Sequence, residues 1–290
     1  MITSGLIQAL LYGLAYGCIY ILLATGLNII FGVMKLVNFA HGQLLMIGAY
    51  IAFTVATTLG LNAYFAMLVA MGIVAMIGVG VERLTFRKVL GTDKLNEIFV
   101  SLGLIYVFEN TADLLWGNTP KQIPSPLQGM QLSLGGINIR YDILLAILIV
   151  SIILVALFLL LKKTKIGLAM RATSQKSTAS MLMGVNTEKI YLITFALGAA
   201  LAGASGALYG IIFNFSPTIG ALPTIKAFAI IIIGGLGSIP GAIIGGLLYG
   251  IAENTTVYFL GGVWRDAVAF ALLIIVLVLR PTGIFGEKGE

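Results

Sequence analysis

The sequence predicts an all-α fold: a polytopic transmembrane helical bundle of about eight spans, with room for one or two broken or re-entrant helices. Three observations carry this. Of 290 residues, 59% are hydrophobic and only 10% charged, with a mean hydropathy of +1.07. Soluble domains average about 25% charged residues, and none hides this much apolar surface. The apolar stretches are continuous over about 20 residues, enough to cross about 30 Å of hydrocarbon as helix. They do not alternate, which disfavours a β-barrel. The 36 glycines suit helices whose backbones approach closely.

Residues 6–31 form the first apolar run. The preceding "MITSG" lacks the basic region of a signal peptide, so this span is expected to be retained. Cys18 lies within it; as the only cysteine it excludes an intrachain disulfide and reads as a buried structural thiol. Residues 36–58 follow, and both of these runs are interrupted by polar, glycine-bearing stretches. Residues 63–82, 98–115, 143–161 and 190–212 are cleaner. Residues 225–233 are too short to span unless the helix begins earlier, near Pro223. Residues 242–258 and 267–279 complete the series. Two segments, 28–50 and 228–250, each carry a break inside an apolar run. Paired breaks of this kind mark either inverted repeats around a central pathway or glycine clusters that permit tight packing.

Basic loops orient the chain. Arg83, Arg87, Lys88 and Lys94 crowd one loop, and Lys162, Lys163, Lys165, Arg171, Lys176 and Lys189 crowd another, so both are expected on the cytoplasmic side. The loop between them, 117–141, carries Pro120, Pro124 and Pro126 but only two basic residues, Lys121 and Arg140; it is expected outside. Alternation then places the N-terminus outside and the tail "RPTGIFGEKGE" inside. The net charge of +6 is explained by this loop bias and does not point to nucleic acid.

Enzymatic chemistry finds little support. There is no G-x-x-x-x-G-K-[ST] pattern, so the chain has no P-loop of its own. "GASG" (203–206) resembles a serine nucleophile site, but the only histidine, His41, lies beside a different break. Ser205 sits instead in a run of small residues spaced for helix packing. One histidine, one cysteine and scattered carboxylates do not make a metal site.

Polar residues at membrane depth are more informative, because a charge at the bilayer centre costs about 2.5–3.5 kcal/mol on insertion scales. Glu109 lies about 12 residues into its span, roughly 18 Å by helix rise. Asp113 follows one turn later on the same face, beside Asn110. Asn28, Asn38, His41 and Gln43 decorate the early break, while Glu253 and Asn254 lie in a late span and Lys226 near the short one. Two readings stand for these residues: hydrogen-bonded glue between helices, or a lining for a polar solute. Asn38 and His41, bracketed by Gly32 and Gly42, fit the pathway better.

Residues 162–189 interrupt two apolar spans with polar, basic sequence that still carries helical periodicity. Ile166, Ala169, Met170 and Thr173 fall at i, i+3, i+4 and i+7. Ser174 is placed to cap a second short helix holding Ala179, Leu182 and Met183, with Gly184 as terminator. An amphipathic helix of this kind either docks in a partner's groove or lies on the membrane surface; docking fits better.

"IGLAMRATSQKSTASMLMGV" resembles the cytoplasmic loop of the permeases of branched-chain amino acid ABC importers, the LivHM permease family. The scheme Gly-x-Ala-x-Arg-Ala … Ala-x-x-x-x-Gly is met by Gly167, Ala169, Arg171, Ala172, Ala179 and Gly184. "NFAHGQLLMIGAY" (38–50), "IIGGLGSIPGAIIGG" (232–246) and "RPTGIFG" (280–286) resemble three further signatures, in the family's order, so the likeness covers essentially the whole chain. The resemblance implies a single permease domain over 1–290 in a bacterial inner membrane. It implies a second, homologous permease, two cytoplasmic ATPases that bind ATP and Mg, and a periplasmic binding protein as partners. This chain itself would bind no cofactor. Residues 162–189 would be the coupling loop seated on an ATPase, with Arg171 anchoring it. The cargo implied is leucine, isoleucine or valine. Related permeases for urea and short-chain amides share much of the pattern, another amino acid within the same family is a further alternative, and a secondary transporter is the reading from another class.

Overall fold

A computed structural model describes residues 2–134, 137–280 and 282–286. Residues 135–136 of the proline-rich loop, Pro281 of the terminal motif, and residues 1 and 287–290 lie outside the described residues. The apolar runs fold as helices α1 (Ile2–Met34), α2 (His41–Thr58) and α3 (Ala63–Val81). A π-helical turn (Glu82–Phe86) leads from α3 into α4 (Arg87–Val89), and α5 (Lys94–Trp116) follows. The proline-rich loop contains an antiparallel hairpin of β1 (Gln131–Leu134) and β2 (Ile137–Arg140), an element the all-helical reading does not anticipate. Then come α6 (Tyr141–Lys163), α7 (Lys165–Gln175), α8 (Ser177–Leu182), α9 (Thr187–Ile212), α10 (Ala221–Gly234), α11 (Ile239–Leu260) and α12 (Arg265–Leu279).

Side-chain caps fix several starts. Asn62, Asp93, Thr164, Asn186 and Ser238 each accept a backbone N–H from the first turn of α3, α5, α7, α9 and α11. Ser174 is not a cap: it lies inside α7 and donates to the Arg171 carbonyl, while α8 follows Lys176 without side-chain capping. Gly184, at φ +84°, does end the segment.

The core is built on α1, α2 and α9, and its close approaches are made by glycine. A Cβ on Gly206 of α9 would collide with the Leu45 carbonyl of α2, and one on Gly48 of α2 would lie 2.5 Å from Gly203 Cα. Gly13 and Gly17 of α1 meet Gly246 and Gly250 of α11 in the same manner. Ser205 is fully buried and donates to the Ile19 carbonyl, the packing role expected of it. Cys18 is buried among apolar neighbours of α1. By contrast α5, α6 and α12 turn most of their surface outward.

Among the described residues, six stretches are long and apolar enough to cross a membrane: Gly5–Met34, Ala63–Val89, Lys94–Trp116, Tyr141–Lys163, Thr187–Ile212 and Gly262–Leu279. The pair α10 and α11, bent by 117° at their junction, makes a seventh if taken as one span. The difference from about eight lies at the two breaks. Residues 35–40 are not helical, so α2 starts only at His41, with its whole first turn buried. The helix holding 225–233 does begin earlier, at Ala221, and includes Pro223. The two breaks also meet: Phe39 and Phe228 pack with ring centroids 4.9 Å apart, and Asn28 bonds the backbone of the α10–α11 turn.

Basic residues gather at one end of the bundle. There Lys94 donates to the Lys35 carbonyl, and Arg87 bridges Glu82 and Glu188. At the opposite end the proline-rich loop is tied down by Lys121 pairing with Phe215 and by the Ile123 N–H donating to the Gly210 carbonyl. Asp142 gathers Arg140, Tyr64 and Ser125.

Candidate functional site

Beyond the pairs made by Asp142, Glu82 and Glu97, three further groups stand out against this apolar scaffold. The first forms at the start of α2. A buried helix start leaves its N–H groups without intrahelical partners, and here the chain supplies them locally: Asn38 Oδ1 accepts from Ala40 N–H, and Thr224 Oγ1 of α10 accepts from Gly42 N–H at 3.0 Å. The approach of α10 requires glycine on both sides, because a Cβ on Gly220 would lie 2.7 Å from the Gly42 carbonyl oxygen. Gln43, 1% exposed, donates its amide to Glu109 Oε1 of α5 at 2.9 Å. Its own carboxamide oxygen, like the Tyr50 hydroxyl further along α2, is buried with no hydrogen-bond partner among the described residues. Native interiors rarely leave such groups unmatched unless something polar visits them.

Of the expected pathway residues, Gln43 and Glu109 meet directly, while Asn38 turns back on the Ala40 N–H at the start of α2. His41 is fully buried between α1 and α9, where a Cβ on Gly26 would come within 3.0 Å of its Nε2. Asp113 is exposed on the same face of α5 as Glu109. Asn110 and Thr111 are exposed beside it, each donating to a carbonyl of its own helix, Tyr106 and Val107.

Glu253 does not join them. It is 1% exposed and belongs to a second, ionic cluster: Lys226 of α10 reaches Glu253 Oε1 at 2.8 Å and Asp266 Oδ1 at 3.1 Å. Arg265 Nε stands 3.4 Å from the same Glu253 oxygen, and the Lys226 ammonium lies 5.2 Å from the centre of the Tyr20 ring. Two cations and two carboxylates balance, which is how a bundle tolerates charge in a low-dielectric interior. This cluster ties α10, α11 and α12 together. Thr224, Asp266 and Arg265 were not singled out in the sequence. A lone threonine in "ALPTIK" carries no signal, whereas a membrane lysine demands a counter-ion and pointed to a partner without naming it.

The third group is at the basic end. Thr173 and Met170 of α7 face inward, as does Gly167, while Ile166 is exposed, so the inner face is shifted by one residue from the expected one. Arg171 donates to the Leu161 carbonyl, clamping α7 against the end of α6. On α8 and just past it the apolar residues point outward: Leu182 and Met183 are each 85% exposed and Met181 is half-exposed. Ala179 is exposed beside them, Ala172 is half-buried, and Ser180 is the residue that faces in.

Residues 9–277 match the family model described as "Branched-chain amino acid transport system / permease component". The chain is 36% identical to the high-affinity branched-chain amino acid transport system permease protein BraD of Pseudomonas aeruginosa, over 97% of this chain and 96% of that one. It is 33% identical to the corresponding permease protein LivH of Escherichia coli K12, over the same shares. With the permease protein LivM of that organism it shares 26% identity, covering 92% of this chain and 67% of LivM. Among solved structures, PsaBC from Streptococcus pneumoniae in complex with Fab matches with a TM-score of 0.50 at 12% identity, over 98% of this chain and 93% of that chain, a likeness of fold alone.

Proposed function

This chain belongs to the branched-chain amino acid transport permease family, and we propose that it is a membrane-spanning subunit of an ATP-driven importer that carries leucine, isoleucine or valine inward. It works beside a second, homologous permease. ATP and Mg are bound by two cytoplasmic ATPases, and a periplasmic binding protein delivers the cargo. The chain is one permease domain. Its basic end faces the cytoplasm of a bacterial inner membrane, and the proline-rich loop 117–141 with its hairpin faces out, as part of the surface on which the binding protein docks.

The observation that carries this reading is the exposed apolar tip at the basic end. Met181, Leu182 and Met183 project on a short helix whose base is fixed by the Arg171 contact to α6 and by the positive-φ Gly184. A solvated connecting loop would bury or avoid such side chains; a coupling element seated in an ATPase groove needs them outside. Motion received there reaches the bundle through α7, which packs on α6, α1 and α9.

The path runs between the first turn of α2 and the polar face of α5. Glu109 supplies a carboxylate for the substrate ammonium group, and Gln43 positions it. Asp113 continues the polar face toward the outer end, and the second permease covers it. An uptake assay tests the assignment: complex reconstituted with candidate ATPases, second permease and binding protein should import labelled leucine in an ATP-dependent manner, with competition by isoleucine and valine. Competition by urea or short-chain amides instead would move the substrate class. Uptake without ATPases would overturn the importer reading.

A further inference from the structure

Two of the sequence signatures, 232–246 and 280–286, have no part in the pathway or in the coupling tip, yet they are built into one another. Helix α10 ends at Gly234, and the carbonyls of its last turn have no helical partner of their own. The C-terminal segment supplies it. Ile284 N–H donates to the Ile233 carbonyl at 2.8 Å, and Phe285 N–H donates to the Gly234 carbonyl at 3.0 Å. The fit is backbone against backbone: a Cβ on Gly283 would lie 2.6 Å from both Gly235 N and the Ile232 carbonyl oxygen, and one on Gly235 would lie 2.8 Å from Gly286 Cα. Gly235, Gly237 and Gly283 all hold positive φ, at +107°, +85° and +80°, a region L side chains rarely adopt.

The other face of the same turn is held by Asn28 of α1. Its amide oxygen accepts from Gly237 N–H and its amide nitrogen donates to the Ser238 carbonyl, each at 2.7 Å. The 117° bend is thus gripped from two sides by hydrogen bonds, with Gly32 leaving room for Gly237 beside α1. The far end of α10 is the end that seats Thr224 on Gly42, next to Gln43. A 14-residue helix is rigid over its roughly 21 Å length, so the position of its C-terminal end sets the position of Thr224.

We infer that residues 282–286 are a latch: with Asn28 they hold the α10–α11 turn and so position α10 against the first turn of α2, and transport depends on that hold. The inference rests on the transport reading above. Its test is a chain ending after Arg280, and separately Gly283→Ala and Asn28→Ala, each in the assembled complex in lipid nanodiscs. Hydrogen exchange and leucine uptake are both measured.

Loosening of the turn is expected to raise exchange of the Gly237 amide, which donates to Asn28, and of the Gly235 and Ser238 amides, which bond within the α10 end and the turn, about tenfold or more, while amides of α9 stay protected. Uptake should fall with membrane levels of the chain unchanged. Three outcomes would overturn the latch: unaltered exchange in the turn, a rise spread equally over α9, or uptake that survives a purely local rise. Wild-type complex that takes up no leucine would fail the transport reading instead, and the exchange pattern would still report on the hold.

Discussion

At the scale of single residues, the clearest physical commitment is the ion cluster around Lys226. Removing one member leaves an uncompensated charge inside the bundle, so Glu253→Ala is expected to destabilise the chain by about 3–5 kcal/mol. Replacing both ends of the shortest pair, as in Lys226→Met with Glu253→Leu, is expected to recover much of that loss, with Arg265 and Asp266 left to pair with each other. Unfolding in detergent of the single and double variants measures the coupling. On the candidate path, Glu109→Gln keeps the hydrogen bond from Gln43 and removes the charge. Leucine uptake by that variant should fall on the order of tenfold if the carboxylate meets the substrate ammonium, since hydrogen bonds to charged groups contribute about 1.5–3 kcal/mol. Polar residues at membrane depth were visible as individual letters; their grouping was not. Gln43 and Glu109 are 66 positions apart, Lys226 and Glu253 are 27 apart, and no spacing rule joins either pair.

At the scale of elements, glycine decides which helices can touch. The α2–α9 crossing has no room for even a methyl group at Gly206, since a Cβ there would collide with the Leu45 carbonyl and reach the Ala49 N–H at 3.0 Å. Gly206→Ala should therefore cost at least about 1–3 kcal/mol, as overpacking does in tight cores. Gly72, with nothing near its Cβ position, should accept alanine without loss. Thermal unfolding of the two variants separates a packing glycine from an incidental one. The one cap expected, Ser174, lies inside α7, and the caps at Asn62, Asp93 and Asn186 were not anticipated; the apolar runs could be read because a run of about 20 residues is a local signal. The starting point of α2 could not. Residues 36–40 are as apolar as the helix they precede, and what keeps them out of a helix is the bonding of Asn38 to Ala40, Glu97 accepting from Val37 N–H, and Phe39 packing on Phe228. The outward turn of Leu182 and Met183 agrees with the docking reading of that face, whereas the inner face of α7 is shifted by one residue from the periodicity.

At the scale of the whole molecule, charge and cover set the arrangement. One end carries the basic loops and the exposed apolar tip of α8; at the other, described residues of the proline-rich loop close over α9 and α6. In a Cys18→Ala background, Lys88→Cys in the other basic loop should react with an impermeant maleimide only after cells are opened, and Gln128→Cys in the proline-rich loop should react in intact cells. The reverse pattern would invert the orientation. On α5, Asn110, Thr111 and Asp113 are exposed among the described residues, the surface on which the proposed second permease would sit.

The central claim is that the bundle is driven through α8. Its most direct test is ATP hydrolysis and leucine uptake by the complete reconstituted complex carrying Ala179→Glu or Leu182→Glu, substitutions on exposed positions that leave the fold of the bundle alone. A carboxylate on the docking tip is expected to abolish uptake and the stimulation of ATP hydrolysis by loaded binding protein, with the chain still present in the membrane at normal levels. Uptake and stimulated hydrolysis that both persist would show that residues 162–189 only connect two spans, and would contradict the account.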